Sequence, residues 1–171
     1  MYSKTKRLEL KPISEDSLDA LVELLTDETV GRTYMVPEFP DRAVAEKLAR
    51  RLMDMSRNAE RLIVGICLDG RFIGLLNETG VEGDSIELGY ALLPAFQNRG
   101  YATEALGCAI GYCFRKGFRR VTAGAFRDNP ASLRVMEKCG MKPIARTERI
   151  DYRGSSHECV FCAIEAEARN E

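Results

Sequence analysis

Histidine occurs only once in the 171 residues, at His157, and no apolar run approaches the length of a bilayer span. Neither a multi-histidine metal centre nor a transmembrane helix is therefore expected. The opening "MYSKTKRLELKPI" lacks the continuous apolar core of a secretory signal, which makes the cytoplasm the default location. A surplus of positive charge is missing as well. Lys and Arg number 25 against 26 Asp and Glu, and the net charge of −1 argues against broad binding to nucleic acid. The densest basic stretch, "FRKGFRR" (114–120), reads as a solvated helix end.

The six cysteines lack the company that disulfides or zinc require. Cys67, Cys108, Cys113 and Cys139 lie in apolar patterns, where a thiol behaves as a small core residue. Cys159 and Cys162 have the spacing of half a zinc site, but no second cysteine pair or histidine cluster completes it. "HECVFCAI" also reads as a strand, which would point the two thiols to opposite faces. No metal is expected.

With 45% hydrophobic and 30% charged residues, the chain has the balance of a globular protein, and its length suits a single domain spanning 1–171. A strand is expected at Arg7–Pro12. A helix should start near Ser14, with Leu18, Leu21, Val22, Leu24 and Leu25 at helical spacing. "YMVPEFPD" interrupts this pattern as a loop, and Asp41 is placed to cap a helix over Arg42–Arg57 with Val44, Leu48, Leu52 and Met55 on one face. From Arg61 the period changes. Two strands meet at Asp69-Gly70, a hairpin signal, and "SIELGYALLP" adds a strand that stops at Pro94. "ATEALGCAIGYCFRKG" returns to a helix. "RVTAGAF" is a short strand, "NPASLRVMEKCG" a helix, and "KPIARTERID" with "HECVFCAI" a closing hairpin. The pattern is mixed α/β, with antiparallel hairpins and one strand–helix–strand crossover.

That crossover runs through "QNRGYATEA" (97–105), a polar, glycine-containing turn at the start of a helix. Free N–H groups and the helix dipole converge there, in an arrangement suited to a phosphate or pyrophosphate. Gly100 allows a close approach, Ala102 is small, and Thr103 adds a hydroxyl. A plain turn remains an equal reading of these residues alone.

"QNRGYA" resembles the Gln/Arg-x-x-Gly-x-Gly/Ala signature of the GNAT acetyltransferase superfamily, in the expected place between a strand and a long helix. "TKRLELKPISEDSLDALVELL" is similar to the N-terminal strand and helix of its branch of Rim-type ribosomal-protein N-terminal acetyltransferases. "NPASLRVMEKCGMKPIA" resembles the same branch's Asn-x-x-Ser helix and Lys-x-Gly ending. The resemblance covers nearly the whole chain. It implies an α/β (α+β) fold, a mixed and mostly antiparallel twisted sheet of about six to seven strands with about four helices.

The same resemblance implies acetyl-CoA as cosubstrate. Its pyrophosphate would be wrapped by Gln97, Asn98, Arg99, Gly100, Tyr101, Ala102 and Thr103. Its pantetheine arm would pair with the main chain of Ala91, Leu92 and Leu93, where the family splays the strand from its neighbour. Asn129 matches the branch's asparagine, which contacts that arm or a water, but it equally reads as an N-cap before Pro130. Ser132 matches the branch's serine, a candidate donor to the coenzyme sulfur. Many family members use a tyrosine further along this helix; none occurs between Asn129 and Gly140, and Ser132 or a water is left as the donor. Arg99, Arg134 and Lys138 are candidates for the 3′-phosphate. The acceptor amine would enter between "RTYMVPEFPD" and "ERIDYRGSSHE", which carry Glu38, Asp41, Glu148 and Asp151.

Acetyl transfer to an amine needs the amine deprotonated, an oxyanion stabilised and a thiolate protonated. Glu87 is the first candidate for the base, as the one acidic residue in the strand leading to the cradle. It could equally pair with a cation. Glu78 and Glu82 are reserves, and Glu104 is explained by the helix dipole alone. The expected activity is an N-acetyltransferase acting on a protein N-terminus or a small amine by direct attack. A non-catalytic acyl-CoA-binding module is the alternative. An ATP site is disfavoured, because "QNRGYA" lacks the lysine and hydroxyl of a P-loop. A homodimer stays open as the assembly.

Overall fold

The computed structural model describes residues 1–167. Strands β1 (Ser3–Lys4) and β2 (Leu8–Lys11) are followed by helices α1 (Leu18–Thr26), α2 (Glu28–Gly31) and α3 (Arg42–Ser56). Three strands come next: β3 (Ile63–Leu68), β4 (Arg71–Glu82) and β5 (Ser85–Leu92). Helix α4 (Tyr101–Arg115), β6 (Arg120–Phe126), α5 (Pro130–Lys138), β7 (Lys142–Tyr152) and β8 (Ser155–Glu165) complete the order. The sheet runs β1-β2-β3-β4-β5-β6-β8-β7. Every neighbouring pair is antiparallel except β5 with β6, which α4 connects.

Among the described residues the sheet has eight strands, not six to seven, and five α-helices flank it, not four. The additions are short. Ser3–Lys4 folds back on Leu10 and Glu9, and Glu28–Gly31 is a single turn capped by Asp27. Segments of two and four residues carry too few side chains to display a period.

Two apolar layers hold the helices to the sheet. On one face α4 presents Ala105, Leu106, Ala109, Ile110 and Cys113 to Ile86, Leu88 and Leu92 of β5. On the other, α1 and α3 cover Phe72, Leu75, Ala91 and Leu93. Each strand thus serves both layers by alternation. The buried seam of α3 lies one residue beyond the larger apolar side chains. Ala45, Ala49 and Met53 are buried, whereas Val44 is exposed and Leu48, Leu52 and Met55 are only partly covered. Alanines on the seam let α3 approach α1 closely, and that contact outweighs the simple apolar count. Asp41 caps α3 as expected, accepting from the Val44 N–H at 2.9 Å.

Cys159 packs with Phe126 and Phe161, while Cys162 joins the layer beneath α4, on the opposite face of β8. His157 stacks on Phe126 with ring centroids 4.5 Å apart. No helix among the described residues is long and apolar enough to cross a membrane.

Candidate active site

Strands β5 and β6 part company after a short contact. They pair only through Ser85–Arg120, Ile86–Val121 and Glu87–Thr122. Beyond Glu87, β5 continues to Leu92 with β4 as its partner, and β6 continues to Phe126 with β8. The facing edges diverge and leave backbone groups of Leu88–Leu92 without a strand beside them. A cavity of about 400 Å³ fills the parting, with Gly89–Leu92 on one wall and Gly124 and Ala125 on the other.

At one end the cavity meets the start of α4. Gly100 is left-handed (φ 79°), and so is Asn98 (φ 58°). Asparagine tolerates this region better than other side chains, and glycine has no Cβ to oppose it. Two left-handed residues so close together curl the chain until its N–H groups point inward. Among the described residues, the N–H groups from Asn98 to Thr103 have no backbone acceptor. With the helix dipole behind them, these donors make a concavity whose electrostatics suit an anion.

This turn is braced from outside. Arg7 donates from Nη1 to the Arg99 carbonyl at 3.1 Å, and its guanidinium lies 4.5 Å over the Tyr101 ring. Glu104 holds Arg7 in turn, accepting from its Nε at 2.6 Å and its N–H at 2.8 Å, and from the Thr5 hydroxyl at 2.5 Å. Burial opposes the charge on Glu104, but the bonds from Thr5 and Arg7 prevail and hold its carboxyl below the usual range. The dipole explanation of Glu104 was therefore incomplete. Its partners lie almost a hundred residues away, and no local pattern announces them.

Every position expected to form the coenzyme cradle lines this cavity except Leu93 and Arg99. Leu93 points to the opposite face, into the layer under α1 and α3, and its N–H donates to the Ile73 carbonyl at 2.9 Å. The Arg99 carbonyl is taken by Arg7, and the residue is exposed. The Gln97 side chain reaches back to the Leu92 carbonyl at 2.9 Å, fastening the turn to the strand end.

Helix α5 supplies the facing wall. Asn129 caps it, accepting from the Ser132 N–H at 3.2 Å, and both residues line the cavity. The Ser132 hydroxyl lies 2.8 Å from the hydroxyl of Tyr90. Burial pushes Tyr90 up to about 12. The tyrosine that α5 lacks is matched by this one, which comes from β5 and which no motif on α5 announces. Its signal was its parity: Tyr90 alternates away from Glu87 and Gly89, toward the α4 and α5 side. Arg134 and Lys138 also line the cavity and form no ion pair among the described residues.

At the other end, Thr29, Val30, Thr33, Tyr34 and Gly89 form the wall. Tyr34 donates to Asn77 Oδ1 at 2.5 Å, and burial raises its phenol above the ordinary value. Glu87 does not line the cavity. It lies one pleat from Gly89, accepts from the Thr79 hydroxyl at 3.0 Å and pairs with Arg146 Nη1 at 2.7 Å. The Arg146 guanidinium stacks 3.7 Å over Phe161 and also binds Glu148 at 2.7 Å. Glu78 faces elsewhere, held by Arg61 and the Leu62 N–H, and Glu82 is exposed. Of the loop carboxylates, Asp41 is spent on its cap and Glu148 on Arg146, while Glu38 and Asp151 are exposed. Burial raises all six cysteine thiols, to about 12 for Cys113 and about 11 for Cys139 and Cys159, and so disfavours the nucleophilic thiolate.

Comparison with known proteins adds four matches. The family model "Acetyltransferase (GNAT) domain" matches residues 7–142. The chain is 29% identical over 146 residues to the "Uncharacterized N-acetyltransferase YnaD" of Bacillus subtilis (strain 168), covering 83% of each. Among solved structures, it superposes on a GNAT-family acetyltransferase from Bacillus anthracis with a TM-score of 0.81 at 23% identity, covering 96% of this chain and 98% of the other. It superposes on RimL, the ribosomal L7/L12 alpha-N-protein acetyltransferase in complex with coenzyme A, with a TM-score of 0.83 at 19% identity and the same coverage.

Proposed function

Because the chain belongs to the acetyltransferase (GNAT) family, we propose that it moves an acetyl group from acetyl-CoA to a primary amine, by direct attack of that amine. The single observation that carries this reading is the parting of β5 from β6. It opens a cavity with bare main chain along one wall and a helix N-terminus at its end.

The residues fit the coenzyme. The inward N–H groups of Asn98–Thr103 suit its pyrophosphate, and Arg134 and Lys138 supply cations for its other phosphate. The edge of β5 at Ala91 and Leu92 offers strand-like pairing to an amide-bearing arm. Asn129 retains amide donors beyond its cap. When bound, acetyl-CoA supplies the activated thioester.

Glu87 is the proposed base. Thr79 and Arg146 use one acceptor site on each of its oxygens, and each oxygen keeps a second lone pair. Gly89, one pleat on, lines the cavity without a side chain of its own, and the Thr79 methyl and Tyr34 ring border the space beside it. Ser132 is the proposed donor to the leaving thiolate, with Tyr90 behind it. A phenol pushed up to about 12 stays protonated at neutral pH, so the pair always holds a proton to give.

RimL is named for acting on the N-terminus of L7/L12, and this chain shares its fold, so N-terminal peptides head the list of acceptors to try. Small amines follow. The Glu87–Arg146 pair favours one other reading, a non-catalytic acyl-CoA-binding module in which that carboxylate is purely structural. Thiol release from acetyl-CoA, measured over a panel of amines and N-terminal peptides, separates the two. Turnover with any member supports the enzyme. Tight coenzyme binding with no turnover supports the binding module.

A further inference from the structure

The tip of the last hairpin is fastened to the amine end of the cavity through one hydroxyl. Tyr152, the last residue of β7, donates to the Gly31 carbonyl at 2.7 Å and accepts from the Val36 N–H at 3.2 Å and from Arg153 Nε at 3.0 Å. The carbonyls of Val36 (3.2 Å) and Tyr34 (3.4 Å) lie near, but a phenol has one proton, and Gly31 is the nearest claimant. The hydroxyl is therefore saturated, and it spans both ends of the segment 31–36.

Two further features lock the same joint. The Arg153 guanidinium lies over the Tyr152 ring at 5.4 Å and fills the space beside Gly31, where a Cβ would come within 2.7 Å of its Cζ. Gly31 is glycine because the guanidinium takes the place of a side chain. The Tyr152 ring is itself held against Phe126, at 6.0 Å between centroids.

Segment 31–36 matters because Tyr34 sits within it. Tyr34 lines the cavity, reaches Asn77, and would meet any side chain placed at Gly89 at 3.5 Å. After the end of α2 at Gly31 the segment is turn and loop: the Thr33 and Tyr34 N–H groups return to the Val30 carbonyl at 3.1 and 2.9 Å. Its far end leads into Pro37 and Pro40 and is tied back by the Tyr152 hydroxyl at Val36. We infer that Tyr152 is a positioning residue that fixes the Tyr34 wall and so sets affinity for the acceptor amine, leaving coenzyme binding alone. This rests on the acetyl-transfer reading above.

The test is Tyr152→Phe, which keeps the ring packing and removes only the hydroxyl, with Gly31→Ala as a second variant that displaces Arg153. Hydrogen exchange of residues 31–36 in the ligand-free protein should rise about fivefold to tenfold, the usual worth of one hydrogen bond. The acceptor KM should rise by a similar factor, while coenzyme affinity and kcat at saturating acceptor change less than about twofold. Unchanged exchange in both variants, or raised exchange with an unchanged acceptor KM, overturns the inference and leaves the acetyl-transfer reading standing. A parent protein that acetylates no amine overturns that reading first, and the acceptor role of Tyr152 with it.

Discussion

The hydroxyls of Tyr90 and Ser132 meet at 2.8 Å across the mouth between β5 and α5, joining a strand and a helix that share no backbone hydrogen bond. A pair of this kind passes a proton as a unit, so its members should not act independently. Ser132→Ala and Tyr90→Phe are each expected to lower kcat by roughly 10²-fold, the lower range of acid–base catalysis, with coenzyme affinity nearly unchanged. The double variant should be little worse than the worse single one. Steady-state kinetics of the four proteins decide this, and multiplicative losses would show that the two hydroxyls do separate work.

Glu87→Gln keeps the shape and the Thr79 contact but removes the charge that meets Arg146. If Glu87 is the base, kcat falls by roughly 10²–10⁴ and the acidic limb of the pH–rate profile disappears, while coenzyme binding holds. Near-parent turnover with the acidic limb intact would make the residue a strut for Arg146.

Gly100→Val tests the turn. A β-branched residue at a φ of 79° costs about 1–2 kcal/mol locally, and the turn should relax out of its left-handed state. Titration calorimetry should show coenzyme affinity reduced about tenfold or more, with circular dichroism unchanged. A variant that binds like the parent would place the pyrophosphate elsewhere. The direction a side chain would take matters here. A Cβ at Gly100 points at Arg7 Nη2, 3.4 Å away, so an acidic substitution gains a partner, and valine is the cleaner probe.

The Glu104 carboxyl is held below its usual range in the folded protein, and this fixes the sign of a pH effect. Its contribution is complete above the ordinary carboxylate pKa and is lost as the pH falls through the lower, folded value. Glu104→Gln should therefore destabilise by about 1–2 kcal/mol at neutral pH. The gap in melting temperature should close as the pH drops toward 3. A gap that stays constant with pH would point to lost packing in place of lost charge.

Most of the fold was legible because its strongest signals are local. The short apolar runs of β3–β5, the Asp69-Gly70 turn, the Asp41 cap and the Asn129-Pro130 start of α5 each act within a few residues, and each stands in the structure as read. The left-handed turn at Gly100 was legible for the same reason, since a helix start and a glycine define it. The rest depends on partners far away in sequence. Nothing near Glu87 foretells Arg146, 59 residues on, and nothing near Glu104 foretells Arg7, 97 residues back. Leu93 lies outside the cavity with its N–H committed to the Ile73 carbonyl, a partner that nothing beside Leu93 in sequence foretells.

The brief contact of β5 with β6 also divides the sheet into two leaves, β1–β5 and β6–β8–β7, stitched by the pairs from Ser85–Arg120 to Glu87–Thr122. A seam that short is the line along which thermal fluctuation first works the molecule open. Anything seated in the parting touches both leaves and adds to the stitching. Occupancy should then raise the cooperativity of melting as well as its midpoint, with the ligand taking up a share of the work done elsewhere in a sheet by a continuous ladder.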